Sequence, residues 1–349
     1  MMSGGQTLRL EYFTASESRS QGWHDVLGAA AFDGGARALR GNGAEFPLAH
    51  VHAPVLGDSR EVLELWRGGE RAQAGSHGRV RYARSGELFF GSVSVHETEV
   101  AAPPESRPHT PLGIATELAY REIYATLSAA GDPQLVRIWN YIPEINLDTH
   151  GLERYRQFNT ARHEASLACG RTVTGSVPAA SALGGAPGSP LTIYFLASQR
   201  APTFIENPRQ VSAYRYPAQY GPRSPSFSRA TVLGEGEAAT LFISGTASIV
   251  GHRTLHPGDP AAQTRETLVN IEALLEEAGR RAGTGTLRLE TLAFKVYVRD
   301  PGELPVIRAE LEAAVGRDAA LLYLKADICR EDLAVEIEAV GGNGWRPLR

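Results

Sequence analysis

Residues 261–279 read AAQTRETLVNIEALLEEAG, and residues 289–300 read LETLAFKVYVRD. In the first stretch Leu268, Ile271, Leu274 and Leu275 recur at three- and four-residue steps, the spacing of one helix face. A helix is therefore expected over 261–278, with Gly279 as its stop. The second stretch is β-rich, and a strand is expected over 287–298. A helix over 303–314 and strands over 319–328 and 334–340 complete the pattern, which a Gly-broken strand over 241–249 precedes. The same order occurs earlier in the chain. A helix over 116–130 carries Leu118, Ala119, Ile123 and Leu127 on one side and meets Gly131. A strand over 135–142 and a helical stretch over 151–168 follow. LSAAG, RIWNYIPEI and LERYRQFN (127–131, 137–145 and 152–159) stand where LEEAG, AFKVYVRDP and LPVIRAEL (275–279, 293–301 and 304–311) stand in the second half. The chain reads as an internal duplication of one α+β unit.

Outside the two copies the pattern changes. From residue 8 to 100 the chain is strand-like and Gly-punctuated, with runs at 8–13, 79–82 and 88–95. AAPPESRPHTP (101–111) holds four prolines and reads as an extended connection. Residues 174–190 are rich in Gly, Ala, Ser and Pro, and a mobile loop inside a domain is expected there. The stretch 208–230, PRQVSAYRYPAQYGPRSPSFSRA, packs three tyrosines, four arginines and four prolines into 23 residues, and no simple core explains it.

The totals bound the function. The 349 residues are 42% apolar and 21% charged, with a formal charge of −4, an ordinary globular balance that argues against a sequence-independent nucleic-acid binder. Two cysteines, Cys169 and Cys329, exclude a disulfide framework and fit a cytoplasmic protein. The N-terminal residues lack the apolar core of a secretory signal, and no apolar run is long enough to span a bilayer. No GxGxxG, P-loop, GxSxG or HExxH occurs. His50 and His52, and His252 and His256, are spaced like paired metal ligands, but no cysteine or carboxylate completes a set, so no metal is expected.

Some residues carry chemistry on their own terms. Glu336 and Glu338 lie at period two on VEIEA and point to one face. From the pattern alone they read as two solvated carboxylates on an exposed sheet face. Tyr155 and Arg162 lie seven apart on one helix face, able to offer a hydroxyl and a cation. Gly245 ends the strand LFISG, where a bare backbone permits a ligand's close approach or simply a bulge. Cys329, seven residues before Glu336, reads as a small hydrophobe.

SGTASIVGHRTLHPGDPAAQTRETLVNIEALLEEAG (244–279), LETLAFKVYVRD and CREDLAVEIEAV (329–340) resemble the YjgF/Rid reactive-intermediate deaminase superfamily, also described as chorismate-mutase-like. PSFSRA (225–230) looks like the strand that opens such domains. The likeness covers 222–342, is weaker over 112–170, and is absent over the first hundred residues. WNYIPEIN (139–146), GLERYRQFNTAR (151–162) and NPRQVSAYRYP (207–217) resemble the chorismatases, which remove the enolpyruvyl side chain of chorismate as pyruvate without metal or organic cofactor. The resemblance implies an α+β fold of two pseudo-duplicated units with mixed sheets and helices packed on one side. The units are expected at 1–221, with extra N-terminal strands, and at 222–349, with the active site near their junction. It implies chorismate as the small-molecule partner, without nucleic acid or membrane. Two units in one chain can mimic part of the superfamily's trimer, so a monomer is expected.

The resemblance also assigns roles. Glu336 matches the catalytic glutamate, which protonates the enolpyruvyl methylene and then stabilises the oxocarbenium-like carbon. Chorismate is a dianion, and Arg grips carboxylates bidentately. Arg308 and Arg229 match ligand-facing positions, while Arg162 and Tyr155 offer a second contact and Tyr214 of the AYRYP loop a hydroxyl. Cys329 is similar to the branch that makes 3-hydroxybenzoate, whereas Ala247 is similar to the branch that hydrolyses chorismate to a dihydroxycyclohexadiene carboxylate. The two markers disagree, and Cys329 has the firmer spacing. An imine deaminase leaves the AYRYP insertion unused and lacks the usual arginine at 323–325, where Tyr-Leu-Lys stands. A non-catalytic module for an aromatic acid is the third reading.

Overall fold

The computed structural model describes residues 8–342, except 15–21, 35, 37–38, 40–44, 58–60, 101–109 and 286, together with 345–346. Most of the proline-rich connection at 101–111 therefore lies outside the described residues. The chain opens with β1 (Arg9–Thr14), β2 (Val26–Phe32), β3 (Leu48–Val51) and β4 (Val62–Arg67). A first unit follows: β5 (Gln73–His77), β6 (Val80–Ser85), β7 (Leu88–Val95), α1 (Pro111–Ala129), β8 (Gln134–Pro143), the short pair β9 (Asp148–Thr149) and β10 (Leu152–Glu153), α2 (Arg154–Ala168), β11 (Ala179–Gly185) and β12 (Leu191–Ser198). The second comprises β13 (Thr203–Ile205), β14 (Ala230–Leu233), β15 (Thr240–Thr246), the pair β16 (Ile249–Val250) and β17 (Arg253–Thr254), α3 (Pro260–Ala282), β18 (Ala293–Val298), α4 (Leu304–Val315), β19 (Ala320–Lys325) and β20 (Val335–Gly342). β21 (Trp345–Arg346) comes last.

The two six-stranded sheets have the same wiring. The first runs β11-β8-β12-β7-β6-β5 and the second β19-β18-β20-β15-β14-β13. In each the two outer strands at one end are parallel and the remaining pairs antiparallel. The duplication read from the second half is thus a duplication of topology. The second sheet already begins at Thr203–Ile205, ahead of residue 222.

A third copy had no counterpart in the sequence reading. The N-terminal sheet runs β3-β2-β4-β1, again with one parallel pair followed by antiparallel ones, and β21 closes it against β1. It has the strands of the unit but no α-helix among the described residues. Registers align all three copies: Trp139 pairs with Tyr194, Lys295 with Glu338, and Ala30 with Glu64. By the same count Glu336 corresponds to Thr192 in the first unit and to Val62 in the N-terminal one.

Packing follows from this. α1 and α2 cover one face of the first sheet, with Leu112, Ile123 and Phe158 against Phe89, Ile138 and Phe195. α3 and α4 cover one face of the second, with Ile271, Leu274 and Ile307 against Ile243, Phe294 and Val296. The helix-free faces of all three sheets turn inward and share one core, built on Tyr12, Phe32, Trp66, Phe90, Trp139, Tyr194, Phe242 and Tyr297. A strand buried on both faces loses its polar–apolar alternation, which is why VLGAAAF is buried throughout.

Two local expectations change. Residues 174–190 contain β11, whose small residues let it lie parallel to β8 while also touching β15 and β14: Ala180 N–H donates to Ser244 Oγ (2.9 Å) and Ala179 N–H to Thr231 Oγ1 (2.9 Å). α3 continues through Gly279 and stops at Gly283, whose φ of 69° is left-handed.

Candidate active site

The seam between the first and second units opens into a cleft of about 510 Å³. Its floor is the end of β15 and the start of β20. One wall is the β8–α2 connection with the start of α2, and the other is the 216–229 loop. Residues 329–332, between β19 and β20, form the rim.

Glu336 lies on that floor, 4% exposed and opposite Tyr297 of β18. No described residue donates a hydrogen bond to it. Its carboxylate rests against the bare α-carbon of Gly245: a β-carbon there would lie 1.9 Å from Glu336 Oε1 and 3.1 Å from Ser181 Oγ. Gly245 is needed for that approach and not for its backbone angles. Burial, and then the charge of Glu338, push the Glu336 carboxyl up to about 8, against the pull of Arg137, Arg229 and Arg299. It is therefore a neutral acid at pH 7 and has its proton to give.

Glu338 is not the solvated carboxylate that one strand reading allowed. It is buried, because the face that it shares with Glu336 is the face turned toward the common core. Its Oε2 accepts from Arg137 Nη2 and from Ser181 Oγ (both 2.7 Å), and its Oε1 from Trp139 Nε1 (2.7 Å) and Lys295 Nζ (2.8 Å). Burial opposes its charge, but Lys295 and Arg137 outweigh burial and hold its carboxyl below the ordinary range. Two carboxyls on one face thus carry opposite protonation at neutral pH.

The cleft also presents cations. Arg229 donates to Val211 O (2.9 Å) and to Tyr216 OH (2.7 Å) and stacks on Phe227, while its buried Nε has no partner. Arg330 donates to His252 O (3.0 Å) and Thr254 Oγ1 (3.2 Å) and lies over the Tyr220 ring at 4.3 Å, and its buried Nη2 has no partner. Arg299 binds Asn146, Asp327 and the carbonyls of Ile328, Arg330 and Leu333, and so pins the rim loop. Cys329 faces the cleft from that loop and packs with Ala247, Ile249, Ile328 and Leu333. Burial and then the neighbouring Glu336 push its thiol up to about 12, so it is no nucleophile at neutral pH.

Glu336, Arg229, Tyr155, Gly245, Cys329 and Ala247 all line this one cleft. Burial raises the Tyr155 hydroxyl, leaving it a neutral donor. Three expected site residues lie elsewhere. Arg308 is on α4, over the Tyr323 ring at 5.0 Å and beside Gly57, at the seam between the second unit and the N-terminal sheet. The reason is geometric: the Glu336 cleft takes its helix from the neighbouring copy, so Tyr155 of α2 occupies the place given to Arg308. Arg162 lies behind the wall, donating to Asn159 Oδ1 (3.1 Å) and stacking on Phe158. Tyr214 stands outside, because the tight turn Ala213–Arg215 sends Tyr216 to the cleft instead. The sequence reading missed Arg330, Tyr216, Tyr220 and Phe227. The only signal for the last three was the aromatic and arginine-rich 208–230 stretch.

Residues 64–197 match the family described as Chorismatase FkbO/Hyg5-like, N-terminal. A 3-hydroxybenzoate synthase of Streptomyces hygroscopicus is 39% identical over 297 residues, covering 82% of this chain and 83% of its own. The chain belongs to the chorismatase family. A chorismatase of Streptomyces rapamycinicus is 38% identical over 84% of this chain and 86% of its own. A chorismatase crystal structure is similar over 96% of this chain and 98% of its own, at 31% identity and a TM-score of 0.82. Among the described residues of this chorismatase-family chain, no helix is long and apolar enough to cross a membrane, and no group of three His, Cys, Asp or Glu side chains is placed to hold a metal.

Proposed function

We propose that this chain is a chorismatase in which Glu336 is the general acid. The observation that carries the reading is a carboxyl that is neutral at pH 7, on the floor of a two-unit cleft whose walls offer Arg229 and Arg330. The two guanidiniums, each with an unpartnered buried N–H, suit the two carboxylates of chorismate. Which arginine takes which carboxylate is left open. Tyr155 and Tyr216 add hydroxyls at the walls.

Glu336 gives its proton to the terminal methylene of the enolpyruvyl group, and the ether carbon becomes oxocarbenium-like. The new carboxylate, beside Gly245, stabilises that cation at short range. The acid term is worth about 10²–10⁴-fold. In one course the neighbouring ring hydroxyl attacks the ether-bearing ring carbon, that carbon's bond to the ether oxygen breaks, and pyruvate leaves with the oxygen as its keto group. The hydroxyl proton returns to Glu336, and opening of the resulting epoxide with transfer of a ring proton to its oxygen yields 3-hydroxybenzoate without consuming water. In the other course water adds to the cationic carbon and one of its protons returns to Glu336. The hemiketal collapses by breaking that carbon's bond to the ether oxygen, which takes the remaining proton and stays on the ring; pyruvate and the dihydroxycyclohexadiene carboxylate result.

The patch that Cys329 forms with Ala247, Ile249, Ile328 and Leu333 favours the first course, because an apolar wall offers a water few anchors. Ala247 in that wall supports hydrolysis as the second reading. Chromatography after mixing the protein with chorismate tests the choice. Equimolar pyruvate and 3-hydroxybenzoate is the expected result; the diene diol overturns the product assignment, and no pyruvate overturns the activity. The reading includes a monomer, because all three seams of the pseudo-trimer close within one chain. Light scattering is expected to give a mass near 37.6 kDa, and a stable trimer contradicts it.

A further inference from the structure

Behind the cleft floor lies a charge cluster whose residues do not line the cleft. Lys295 Nζ, on β18, pairs with Glu338 Oε1 (2.8 Å) and with Glu64 Oε2 (2.6 Å) of β4, and donates to Tyr194 OH (3.0 Å) of β12. Glu64 Oε1 accepts from Trp66 Nε1 (3.0 Å) and from Tyr194 OH (3.1 Å). With Arg137 on β8 the cluster holds two carboxylates and two cations, drawn from all three units. Four donors saturate both oxygens of Glu338, so it has no room to take up a proton. A buried pair of this kind is a costly way to stabilise a fold, and apolar residues of the same volume would serve as well. Its place suggests another use.

Glu338 is connected to the acid in two ways. It is two residues along the same strand and on the same face, roughly 7 Å away. Ser181 Oγ donates to Glu338 and accepts from Gly245 N–H (3.0 Å), and Gly245 is the residue against which the Glu336 carboxylate rests.

We propose that Glu338 is a positioning residue for the reaction: held permanently anionic by Arg137, Lys295, Trp139 and Ser181, it keeps the proton on Glu336 without touching substrate. The inference rests on Glu336 being the general acid. Other groups face Glu336 as well. Arg137, Arg229 and Arg299 draw its proton off, and Tyr155, Tyr297 and Cys329 stand neutral around it. Around Glu338 stand Glu64, Lys295, Arg137 and the neutral Tyr12, Tyr141, Tyr194 and Tyr297. The negative charge that acts on the acid against these cations is that of Glu338, so its removal leaves them unopposed.

The test is the pH profile of kcat for pyruvate release. For E338Q the alkaline limb is expected to move acidward by roughly one to two pH steps, from the Coulomb energy across about 7 Å at an effective dielectric of about 20. Activity at pH 7.5 then falls by about 3- to 25-fold, returns toward the wild-type value near pH 6, and KM changes little. E64Q, one ion pair further off, is expected to move the limb the same way by less, and it carries the test alone if E338Q does not fold. A folded E338Q, or E64Q in its place, with an unmoved limb overturns the proposal. That failure differs from a failure of the acid assignment, which would appear as turnover by E336Q.

Discussion

Replacing Glu336 with Gln is expected to stabilise the protein and to do so only above acidic pH. In the unfolded chain the carboxyl ionises near its ordinary 4.5, whereas in the fold burial and Glu338 hold it protonated up to about 8. Folding therefore takes up a proton at every pH between these limits. The native state binds more protons than the unfolded one, so wild-type stability falls as pH rises from 4.5 to 8 and then levels off. At pH 7 the interval is 2.5, and at about 1.4 kcal/mol per pH step the cost is about 3 kcal/mol. A glutamine of the same size cannot ionise and escapes that cost. Its amide brings a desolvation cost of its own, but this is independent of pH, so the slope is the informative quantity. Urea denaturation of both proteins at about pH 5, 6, 7 and 8 gives the free-energy difference. The advantage of E336Q should widen by about 1.4 kcal/mol per pH step and flatten near 8. A difference constant across the range, or one that widens toward acid, refutes the reasoning.

Other perturbations separate the site from its surroundings. G245A puts a β-carbon 1.9 Å from Glu336 Oε1, so the carboxylate must swing away; kcat for pyruvate release should fall on the order of 100-fold with the fold intact, as checked by circular dichroism. R308A removes a side chain that lies at another seam, over Tyr323, and turnover of chorismate should remain within about twofold of wild type.

Much of the fold was legible because the two complete units keep helices with clear apolar stripes, and those stripes repeat in order. The third unit escaped notice because, among its described residues, it has strands without the α-helices that would have announced it. Its strands also face cores on both sides, so Leu63, Leu65 and their neighbours lose the alternation that marks a half-buried strand. The site was legible where one strand or one turn decides it: Glu336, Gly245, Ala247 and Cys329 come from short stretches of the second unit, and Arg229 and Tyr155 from matching positions. It was not legible where the assignment depends on which copy lends an element to which seam. Arg308 and Tyr155 are near-equivalent in the repeat, and only the packing of three units decides that α2, and not α4, walls the cleft beside Glu336. Glu338 was ambiguous for a related reason. Its partners Arg137, Trp139, Ser181 and Lys295 lie on three other strands, and no pattern local to VEIEA points to them.

The central claim is that one buried, protonated carboxyl drives the loss of pyruvate, and E336Q tests it most directly. Pyruvate released from chorismate by the purified, folded variant, read with a coupled lactate dehydrogenase assay across pH 5 to 9, should fall by at least about 100-fold at every pH, while wild type loses activity as pH rises through about 8. Turnover by E336Q close to wild type, or a wild-type profile flat through pH 9, would contradict it.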